Sequence, residues 1–441
     1  MAKPIVAIVG RPNVGKSTFF NYISGRRIAI VEETPGVTRD RIYADVEWRG
    51  RVYALVDTGG IEPDSDDPIM AQMRRQAQMA IDTADAILFM VDARDGLTSA
   101  DKDVADLLRR SGKPLIVVAN KADRPGPMPA EAYEFYDLAV GEVLAISSVQ
   151  GLGMGDLLDA IHACLPPEDG SGEEGGAIKV AIVGKPNVGK SSLVNRMLGE
   201  ERVITNDAPG TTRDAIDASF EVGGDRFVFI DTAGIRRKSK VSAPIERYSV
   251  MRAWAAVERA DLCLVVIDAE EGVTEQDAKI AGYAREAGKG VIVLVNKWDL
   301  IKKDTGTADE YRARIREKLA FISYAPVMFI SALTGQRVRG IFGALKSVYA
   351  NAGFRAPTGL LNDTLIEAVA TAQPPSDRGK RLKIYYMAQI GVRPPSFVVF
   401  VNDADLMHYS YARYIENTLR RAFNFEGVPI RLVTRERGEG A

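Results

Sequence analysis

Two eight-residue stretches of this chain contain the residue types that bind phosphate groups. They read Gly10-Arg11-Pro12-Asn13-Val14-Gly15-Lys16-Ser17 and Gly184-Lys185-Pro186-Asn187-Val188-Gly189-Lys190-Ser191, 174 positions apart. Each follows an apolar run and precedes a helical run, which is the context that a G-x-x-x-x-G-K-[ST] loop requires. The backbone N–H groups of such a loop point at phosphate oxygens, its lysine reaches the β- and γ-phosphates, and its serine binds Mg²⁺. Because both copies lie behind a strand, a chance match or a vestigial loop is the weaker interpretation.

A second pair of motifs ends the strands that follow the phosphate loops. They read Asp57-Thr58-Gly59-Gly60 and Asp231-Thr232-Ala233-Gly234, again 174 positions apart. A carboxylate there can hold Mg²⁺ through water, and the last glycine can donate its N–H to the γ-phosphate. An Asp-x-x-Gly turn is common by itself, but the constant spacing favours the nucleotide-binding interpretation.

A third pair of motifs predicts that the base is guanine. They read Asn120-Lys121-Ala122-Asp123 and Asn296-Lys297-Trp298-Asp299, 176 positions apart. Guanine presents N1–H and its amino group side by side, and one carboxylate accepts both. Adenine lacks this pair, and a site built on polar pairing rejects the unmatched analogue by about 10⁴ or more. We expect Ser147-Ser148 and Ser331-Ala332, after the next strand, to face the guanine O6 through backbone N–H groups.

Two proline- and glycine-containing segments lie between the first and second motifs. They read Thr34-Pro35-Gly36-Val37-Thr38-Arg39-Asp40 and Ala208-Pro209-Gly210-Thr211-Thr212-Arg213-Asp214. We expect Thr38 and Thr212 to bind Mg²⁺ when the γ-phosphate is present, in segments that order with the triphosphate. A plain turn is the alternative interpretation.

The elements that must position these motifs alternate as strand and helix twice along the chain. The alternation predicts an α/β fold with two mostly parallel sheets that carry helices on both faces. One antiparallel edge pair is expected in the first sheet, between 41–48 and 52–56. Helices are expected over 69–83, 100–111, 129–137 and 154–164. We expect a first nucleotide-binding domain over 1–165, an acidic glycine-rich linker over 166–176, and a second nucleotide-binding domain over 177–352.

The last part of the chain, 353–441, has a different pattern and no phosphate loop. It predicts a small α+β domain of order αββαβ, with helices over 360–371 and 409–423 and strands over 382–389, 397–402 and 429–433. It carries 12 basic and 9 acidic side chains, although the whole chain has a net charge of −2. Arg378, Lys380, Arg381 and Lys383 lie near Tyr385, Tyr386 and Phe397, a pattern that suits RNA.

Several functional classes are disfavoured by composition. The two cysteines, Cys164 and Cys263, lie in apolar runs, which indicates reduced core thiols of a cytoplasmic protein rather than a disulfide. No apolar run approaches the length of a membrane span, and the start of the chain leaves no room for a signal peptide. His162 and His408 have no metal-ligand neighbours at useful spacing, so we interpret both as structural.

These motifs together give the chain a specific resemblance. It resembles the Der (EngA) family of bacterial GTPases, which have two tandem P-loop G domains and a C-terminal KH-like domain, and the resemblance covers essentially the full length. The resemblance implies GTP hydrolysis, a role in assembly of the large (50S) ribosomal subunit, and GTP-dependent association with ribosomal particles and rRNA. We expect GTP or GDP at both sites, no membrane partner, and a monomer. No G-x-x-G loop, the usual KH clamp on a nucleotide backbone, occurs in the C-terminal part. Direct RNA binding and packing against the G domains are therefore both open roles for it.

One departure from Ras-like enzymes bears on the mechanism. Ile61 and Ile235 stand where those enzymes place the glutamine that orients the attacking water. In related GTPases with this substitution, a phosphate-loop asparagine can bind K⁺, and Asn13 and Asn187 occupy that position. The hypothesis is K⁺-stimulated hydrolysis at both sites, beside the catalytic groups Lys16, Lys190, Thr38 and Thr212. The alternative is that each asparagine only shapes its loop.

The segments after the second motif differ in charge between the two copies. Residues 62–67 are acidic, whereas Arg236-Arg237-Lys238-Ser239-Lys240 is basic. The basic segment is either a solvated loop or a surface that meets RNA phosphates or a partner domain. A nucleotide-dependent scaffold, in which one G domain binds without turnover, is the second functional hypothesis. A membrane-remodelling GTPase is disfavoured because no amphipathic basic helix or lipidation signal is present.

Overall fold

The structure is a computed structural model that describes residues 3–25, 29–30, 43–59, 69–124, 128–166, 176–200, 217–232, 246–377 and 380–436. The chain divides into two compact units. One contains Met1–Gly172 with Pro244–Ala255, and the other contains Glu173–Ala243 with Ala256–Ala441. Among the described residues no helix is long and apolar enough to span a membrane.

The first unit contains a seven-stranded sheet in the order β2-β3-β4-β1-β5-β6-β7. Its strands are β1 (Ile5–Gly10), β2 (Ala29–Ile30), β3 (Tyr43–Trp48), β4 (Arg51–Asp57), β5 (Ala86–Asp92), β6 (Leu115–Asn120) and β7 (Val143–Ala145). Its helices are α1 (Lys16–Ser24), α2 (Ile69–Thr83), α3 (Ser99–Arg110) and α4 (Met154–Cys164), with a 3₁₀ helix at Ala130–Leu138. Every residue of β1 and β5 is buried, as expected for parallel strands covered on both faces.

The expected antiparallel pair of β3 and β4 is confirmed, and two details of this unit were not predicted. The antiparallel edge contains β2 as well as β3 and β4, because β2 has only two residues and gives no readable pattern. The helix expected over 129–137 is a 3₁₀ helix. Its buried residues, Ala132, Phe135 and Leu138, recur every third position, which matches a helix with three residues per turn.

The second unit contains a six-stranded sheet in the order β13-β12-β11-β8-β10-β9. Its strands are β8 (Ile178–Val183), β9 (Ala218–Val222), β10 (Asp225–Ile230), β11 (Leu262–Asp268), β12 (Gly290–Asn296) and β13 (Val327–Phe329). The helices along this part of the chain are α5 (Lys190–Glu200), α6 (Glu246–Arg259), α7 (Glu275–Glu286), α8 (Thr307–Lys318) and α9 (Gly340–Ala352), with short 3₁₀ turns at Trp298–Leu300 and Ala320–Ile322. β8 lies between β10 and β11, as β1 lies between β4 and β5, so the sequence repeat is also a structural repeat.

The C-terminal part forms its own three-stranded sheet with two helices. Its elements are α10 (Thr358–Thr371), β16 (Ile384–Gly391), β17 (Ser396–Val401), a 3₁₀ turn (Ala404–Leu406), α11 (Tyr409–Ala422) and β18 (Arg431–Glu436), preceded by the two-residue strands β14 (Ser376–Asp377) and β15 (Lys380–Arg381). β17 pairs antiparallel with β16 and parallel with β18. The predicted order αββαβ is therefore observed, with the small β14–β15 hairpin added.

The loop before β18 joins this C-terminal part to the six-stranded sheet. Val291 N–H, at the start of β12, donates to Gly427 O at 2.7 Å, and Gly427 N–H donates to Tyr324 O at 2.8 Å. Val428 belongs to the hydrophobic core of the six-stranded sheet. A Cβ atom on Gly427 would lie 2.4 Å from Val348 Cγ2, so only glycine fits this approach.

Candidate functional site

The first phosphate loop connects the end of β1 to the start of α1. Asn13 and Gly15 have positive φ angles of 66° and 98°, which curl the backbone as an anion-binding loop requires. A Cβ atom on Gly15 would lie 2.2 Å from Asn120 Nδ2, and one on Gly10 would lie 2.1 Å from Met90 O. Close approach of neighbouring atoms therefore requires glycine at both positions. At position 15 the positive φ also favours glycine.

The second phosphate loop has the same geometry. Asn187 and Gly189 have φ angles of 65° and 96°. A Cβ atom on Gly189 would lie 2.2 Å from Asn296 Nδ2, and one on Gly184 would lie 2.4 Å from Val266 O. The two loops thus have nearly the same φ angles at the asparagine and the second glycine, and each contacts the asparagine of its own third motif.

The phosphate-loop lysines hold carbonyl groups of their own loops. Lys16 Nζ donates to Gly10 O at 2.6 Å and to Arg11 O at 2.7 Å. Lys190 Nζ donates to Gly184 O and to Lys185 O, each at 2.5 Å. Burial lowers the pKa of Lys16 to about 8, against the opposing effect of the Asp57 carboxylate. The buried ammonium group therefore lacks an adequate anionic partner, which a polyphosphate would supply.

Ser17 and Asp57 place two oxygen atoms side by side next to this lysine. Ser17 Oγ donates to Asp57 Oδ2 at 2.8 Å, and Gly59 N–H donates to Asp57 Oδ1 at 2.9 Å. Thr58 Oγ1 donates to Ile8 O on β1. A Cβ atom on Gly59 would lie 2.4 Å from Lys16 Cε. The first and second motifs are therefore in direct contact.

The corresponding aspartate of the second unit has a different backbone and a different neighbour. Asp231 has a positive φ of 57°, and its N–H donates to Asp217 Oδ1 at 2.8 Å. Arg259 Nη2 pairs with Asp217 Oδ2 at 2.8 Å. The first copy has Tyr43 at the position of Asp217, so this carboxylate is specific to the second copy.

The asparagines of the third motif bridge the phosphate loop and the loop after the last strand of each sheet. Asn120 Nδ2 donates to Val14 O at 2.8 Å, and Asn120 Oδ1 accepts from Ser148 N–H at 3.0 Å and from Ser148 Oγ at 2.9 Å. Asn296 Nδ2 donates to Val188 O at 2.8 Å, and its Oδ1 accepts from Ala332 N–H at 2.9 Å. Each asparagine therefore fixes the distance between the phosphate site and the predicted base site.

The lysines of the third motif are anchored by two aspartates that sequence reasoning did not single out. Lys121 Nζ lies 2.5 Å from Asp92 Oδ2, and Lys297 Nζ lies 2.6 Å from Asp268 Oδ2. Burial is the largest single effect and would raise the pKa of Asp92 and Asp268, but the hydrogen bond from the lysine, the backbone hydrogen bonds and the charge of the lysine together outweigh it, so the pKa of each lies below its ordinary value. The repeat of Asp-Ala at the ends of β5 and β11, 176 positions apart, is the sequence signal that could have identified them.

The aspartates predicted to bind guanine differ between the copies. Asp123 Oδ1 accepts a hydrogen bond from Ser147 Oγ, and Asp123 Oδ2 pairs with Arg94 Nη2. Asp299 Oδ1 is buried, and no group in the described part of the chain donates to it. Backbone hydrogen bonds from Ala122 to Ile146 and from Trp298 to Ile330, both 3.0 Å long, hold the two motifs alike. The difference between the two aspartates therefore comes from the surrounding side chains.

Several predicted groups lie outside the described residues. They are Thr38, Thr212, Gly60, Ile61, Ala233, Gly234, Ile235, the acidic and basic segments at 62–67 and 236–240, Arg378, and most of the linker. Both cysteines are free, as expected. His408 caps α11 by accepting from Ser410 N–H at 3.3 Å, which agrees with its structural interpretation.

The C-terminal sheet exposes aromatic and basic side chains together. Tyr386 stacks on Phe400 with ring centroids 4.3 Å apart, and Phe400 is the strand partner of Arg435. Tyr385 and Tyr386 are each 43% exposed, whereas Phe397 is fully buried in the core. Of the three aromatic residues predicted to interleave with basic ones, Phe397 is thus a core residue.

Comparison with known proteins agrees with this geometry. A family model described as "50S ribosome-binding GTPase" matches residues 5–121 and again 179–297, and one described as "KH-domain-like of EngA bacterial GTPase enzymes, C-terminal" matches 355–435. GTPase Der of Acetivibrio thermocellus is 64% identical over 437 residues, which are 99% of each chain. The chain belongs to the GTPase Der family.

A second curated relative gives the same result. GTPase Der of Ruminiclostridium cellulolyticum is 63% identical over 437 residues, again 99% of each chain. Among solved structures, a variant of Era from Aquifex aeolicus bound to GDP and tetrafluoroaluminate is 24% identical, covers 58% of this chain and 92% of that one, and has a TM-score of 0.30. Like other Der proteins, the chain is a P-loop GTPase with two GTPase domains and a KH-like C-terminal domain.

Proposed function

We propose that both sites hydrolyse GTP to GDP and phosphate, and that the protein acts as a monomer in the cytoplasm in assembly of the large (50S) ribosomal subunit. The observation that supports turnover at both sites is the shared geometry of the two phosphate loops and their asparagine bridges. The ribosomal role rests on the family description, which names a 50S ribosome-binding GTPase. The proposed domains are 1–165, 177–352 and 353–441, with the linker over 166–176.

Different residues are proposed to contact the phosphates and the base of the nucleotide. Lys16 and Lys190 exchange their loop carbonyls for β- and γ-phosphate oxygens and neutralise charge that develops as water attacks the γ-phosphate in line. Asp123 and Asp299 accept the two guanine donors, and the stems of Lys121 and Lys297 cover the base. The backbone N–H groups at Ser147-Ser148 and Ser331-Ala332 face the guanine O6.

The residues proposed for Mg²⁺ fit that ion. Ser17 Oγ and Asp57 Oδ2 are hard oxygen donors 2.8 Å apart, which is the ligand type that Mg²⁺ prefers. We assign the same role to Ser191 and Asp231, with Thr38 and Thr212 joining when GTP is bound. The bound ion would neutralise charge on the β- and γ-phosphates.

The proposal of K⁺-stimulated hydrolysis can be separated from a purely conformational role of the two asparagines. Asn13 and Asn187 have left-handed backbones, which asparagine tolerates and glycine adopts freely. N13G and N187G therefore allow the same loop conformation and remove the carboxamide side chain. We expect hydrolysis to be faster in K⁺ than in Na⁺ at equal ionic strength, and the difference to vanish in the matching variant. Equal rates in the two salts, or stimulation that persists in both variants, contradicts the K⁺ role.

The ribosomal role is tested by co-sedimentation with purified large subunits in the presence of a GTP analogue or GDP. We expect association with the analogue and release with GDP. K16A and K190A, measured separately for hydrolysis, test whether one G domain is only a nucleotide-bound scaffold. Equal sedimentation in both nucleotides would contradict a nucleotide-gated role, and wild-type turnover in either variant would indicate that its site is a scaffold.

We extend the RNA-binding proposal to the outer face of the KH-like sheet. Tyr386, Phe400 and Arg435 form a row across three strands, which combines stacking surfaces with a cation as single-stranded RNA requires. R435E should weaken co-sedimentation with 50S particles and leave GTP affinity unchanged. R421E, on the helix side of the same domain, is the charge-matched control. An equal effect of both variants would indicate a general loss of positive charge.

A further inference from the structure

The loops that follow β5 and β11 have the same backbone and opposite side-chain charges. Arg94 N–H donates to Asp92 Oδ1, and Glu270 N–H donates to Asp268 Oδ1, each at 2.9 Å. Arg94 and Glu270 are 176 positions apart, which is the offset of the third motif. The two sites therefore carry opposite charges at this position of a shared loop conformation.

That side chain reaches the aspartate proposed to bind guanine in one copy. Arg94 Nη2 pairs with Asp123 Oδ2, while Ser147 Oγ donates to Asp123 Oδ1. Both carboxylate oxygens of Asp123 thus have donors within the protein. In the second copy Asp299 Oδ1 has no donor among the described residues, and position 270 carries a carboxylate. Guanine would therefore compete with Arg94 for the carboxylate at the first site, whereas at the second site the buried Asp299 Oδ1 has no competing donor among the described residues.

We propose that Arg94 is a specificity-determining residue of the first GTP site. Its guanidinium group competes with the guanine amino group for the Asp123 carboxylate. The inference rests on the proposed role of Asp123 in binding guanine. Guanine needs both carboxylate oxygens, because N1–H and the amino group each donate to one. Inosine nucleotides lack the amino group and need only one oxygen, so they bind without displacing Arg94. Arg94 therefore reduces the preference for guanine over hypoxanthine at the first site.

The size of the effect follows from the exposure of the pair. The Arg94 side chain is 65% exposed and the Asp123 side chain 24% exposed. A pair of this kind contributes a factor of about five or less to an equilibrium, and salt weakens it. We expect the ratio of IDP to GDP dissociation constants to be about threefold to fivefold smaller at the first site than at the second. Contributions of the phosphates cancel in this ratio.

The test uses the full chain with one site silenced at a time and titration calorimetry with GDP and IDP. The second site is silenced by K190A with D299A, and the first by K16A with D123A. R94Q should raise the ratio of IDP to GDP dissociation constants at the first site to the value at the second, mainly by lowering the dissociation constant of GDP. E270R, the reciprocal change, should lower the ratio at the second site. E270Q, which adds no cation, is its matched control.

Three outcomes are informative. If the ratio changes in R94Q and the change shrinks at high salt, the proposal stands, because a structural role of Arg94 would alter both nucleotides alike. If R94Q changes the dissociation constants of GDP and IDP by the same factor, or leaves both unchanged, Arg94 has no part in specificity, provided that D123A at the first site still abolishes the preference for guanine. If D123A leaves that preference intact, the proposed role of Asp123 is wrong.

Discussion

The phosphate loops of the two G domains have nearly the same backbone angles at the asparagine and the second glycine, and they differ in the side chains placed around them. Asn13 and Asn187 have φ angles within one degree of each other, and Gly15 and Gly189 differ by two degrees. Around these loops, the first site has Arg94 on Asp123, whereas the second has Asp217 beside the backbone of Asp231. The loop framework is thus the same in both copies, while the surroundings of the proposed base site and of the aspartate proposed to bind Mg²⁺ differ.

This difference indicates which interactions a GTP site requires and which it can vary. Backbone N–H groups and the asparagine bridge recur because phosphate binding depends on fixed positions of main-chain donors. Charged side chains at the rim can change because each contributes little in solvent. Substitutions at equivalent residues in the two copies test which of these interactions the sites require.

The largest expected effect is at the phosphate-loop glycines. G15A and G189A place a Cβ atom 2.2 Å from a buried asparagine amide and oppose a left-handed backbone. We expect GDP affinity at the altered site to fall by about 100-fold or more, since the bridge to the base site is displaced. Calorimetry on chains with the other site silenced measures this.

Two glycines outside the sites provide the controls for backbone strain alone. Gly50 and Gly224 have φ angles of 80° and 85°, with nothing within 4 Å of an added Cβ atom. G50A and G224A should lower the free energy of unfolding by about 1 kcal/mol and leave GDP binding intact. If they impair binding as strongly as G15A and G189A, contact with the asparagine is not the cause.

The next largest effect is expected for the bridging asparagines. N120A leaves Val14 O and Ser148 N–H without their partner in a buried site, so we expect a loss of about 2–3 kcal/mol in unfolding free energy and weaker GDP binding at that site. N296A should lose about 1 kcal/mol less, because Asn296 Oδ1 accepts from one group and Asn120 Oδ1 from two. Urea unfolding of both variants measures the difference. A larger loss for N296A would show that the serine hydroxyl is unimportant.

A third effect concerns pH at the first site. Lys16 has a pKa of about 8 in the free protein, and a bound polyphosphate favours its charged form and raises that pKa. GDP binding therefore takes up a proton above pH 8, and its dissociation constant should rise by up to about tenfold per pH unit there. Below pH 8, Lys16 is already charged, so it does not make the dissociation constant of GDP depend on pH. Calorimetry in buffers of different ionisation enthalpy measures the proton uptake.

The control for this pH effect keeps a permanent positive charge. K16R carries a guanidinium group that does not deprotonate in this range. The dissociation constant of GDP should therefore lose the pH dependence that Lys16 causes between pH 8 and 9. A slope that K16R retains must come from another group.

The smallest effect is expected at the aspartates that anchor the third-motif lysines. D92N and D268N remove the carboxylate 2.5 and 2.6 Å from Lys121 and Lys297. We expect GDP affinity to fall about threefold to fivefold at the altered site, and by the same factor in both copies. Unequal factors would show that the two lysines are held by different groups. Because the pKa of each aspartate is lowered in the folded protein, the stability it contributes is present at neutral pH and is lost as the pH falls below its ordinary value.

The sequence alone determined the fold class, the duplication and nearly all of the regular elements. Motifs at constant offsets predict the α/β repeat because a phosphate loop needs a strand before it and a helix after it. The helix over Ile69–Thr83 and the three strands of the KH-like sheet have apolar patterns that are local in sequence, so they could be read directly. The two-residue strand β2 and the 3₁₀ helix could not, because two residues carry no period and a three-residue period resembles an α-helical one.

Only the tertiary structure decided which residues meet at each site. Asn120 reaches Val14 across 106 positions, Arg94 reaches Asp123 across 29, and Asp92 lies on the strand beside Lys121. The repeated Asp-Ala marks Asp92, but no spacing predicts which residues these side chains contact, because the contacts arise from the order of β1, β5 and β6 in the sheet. The motifs therefore predict the chemistry of GTP binding, whereas the packing of neighbouring strands places Arg94 on Asp123, the aspartate proposed to bind guanine in the first copy.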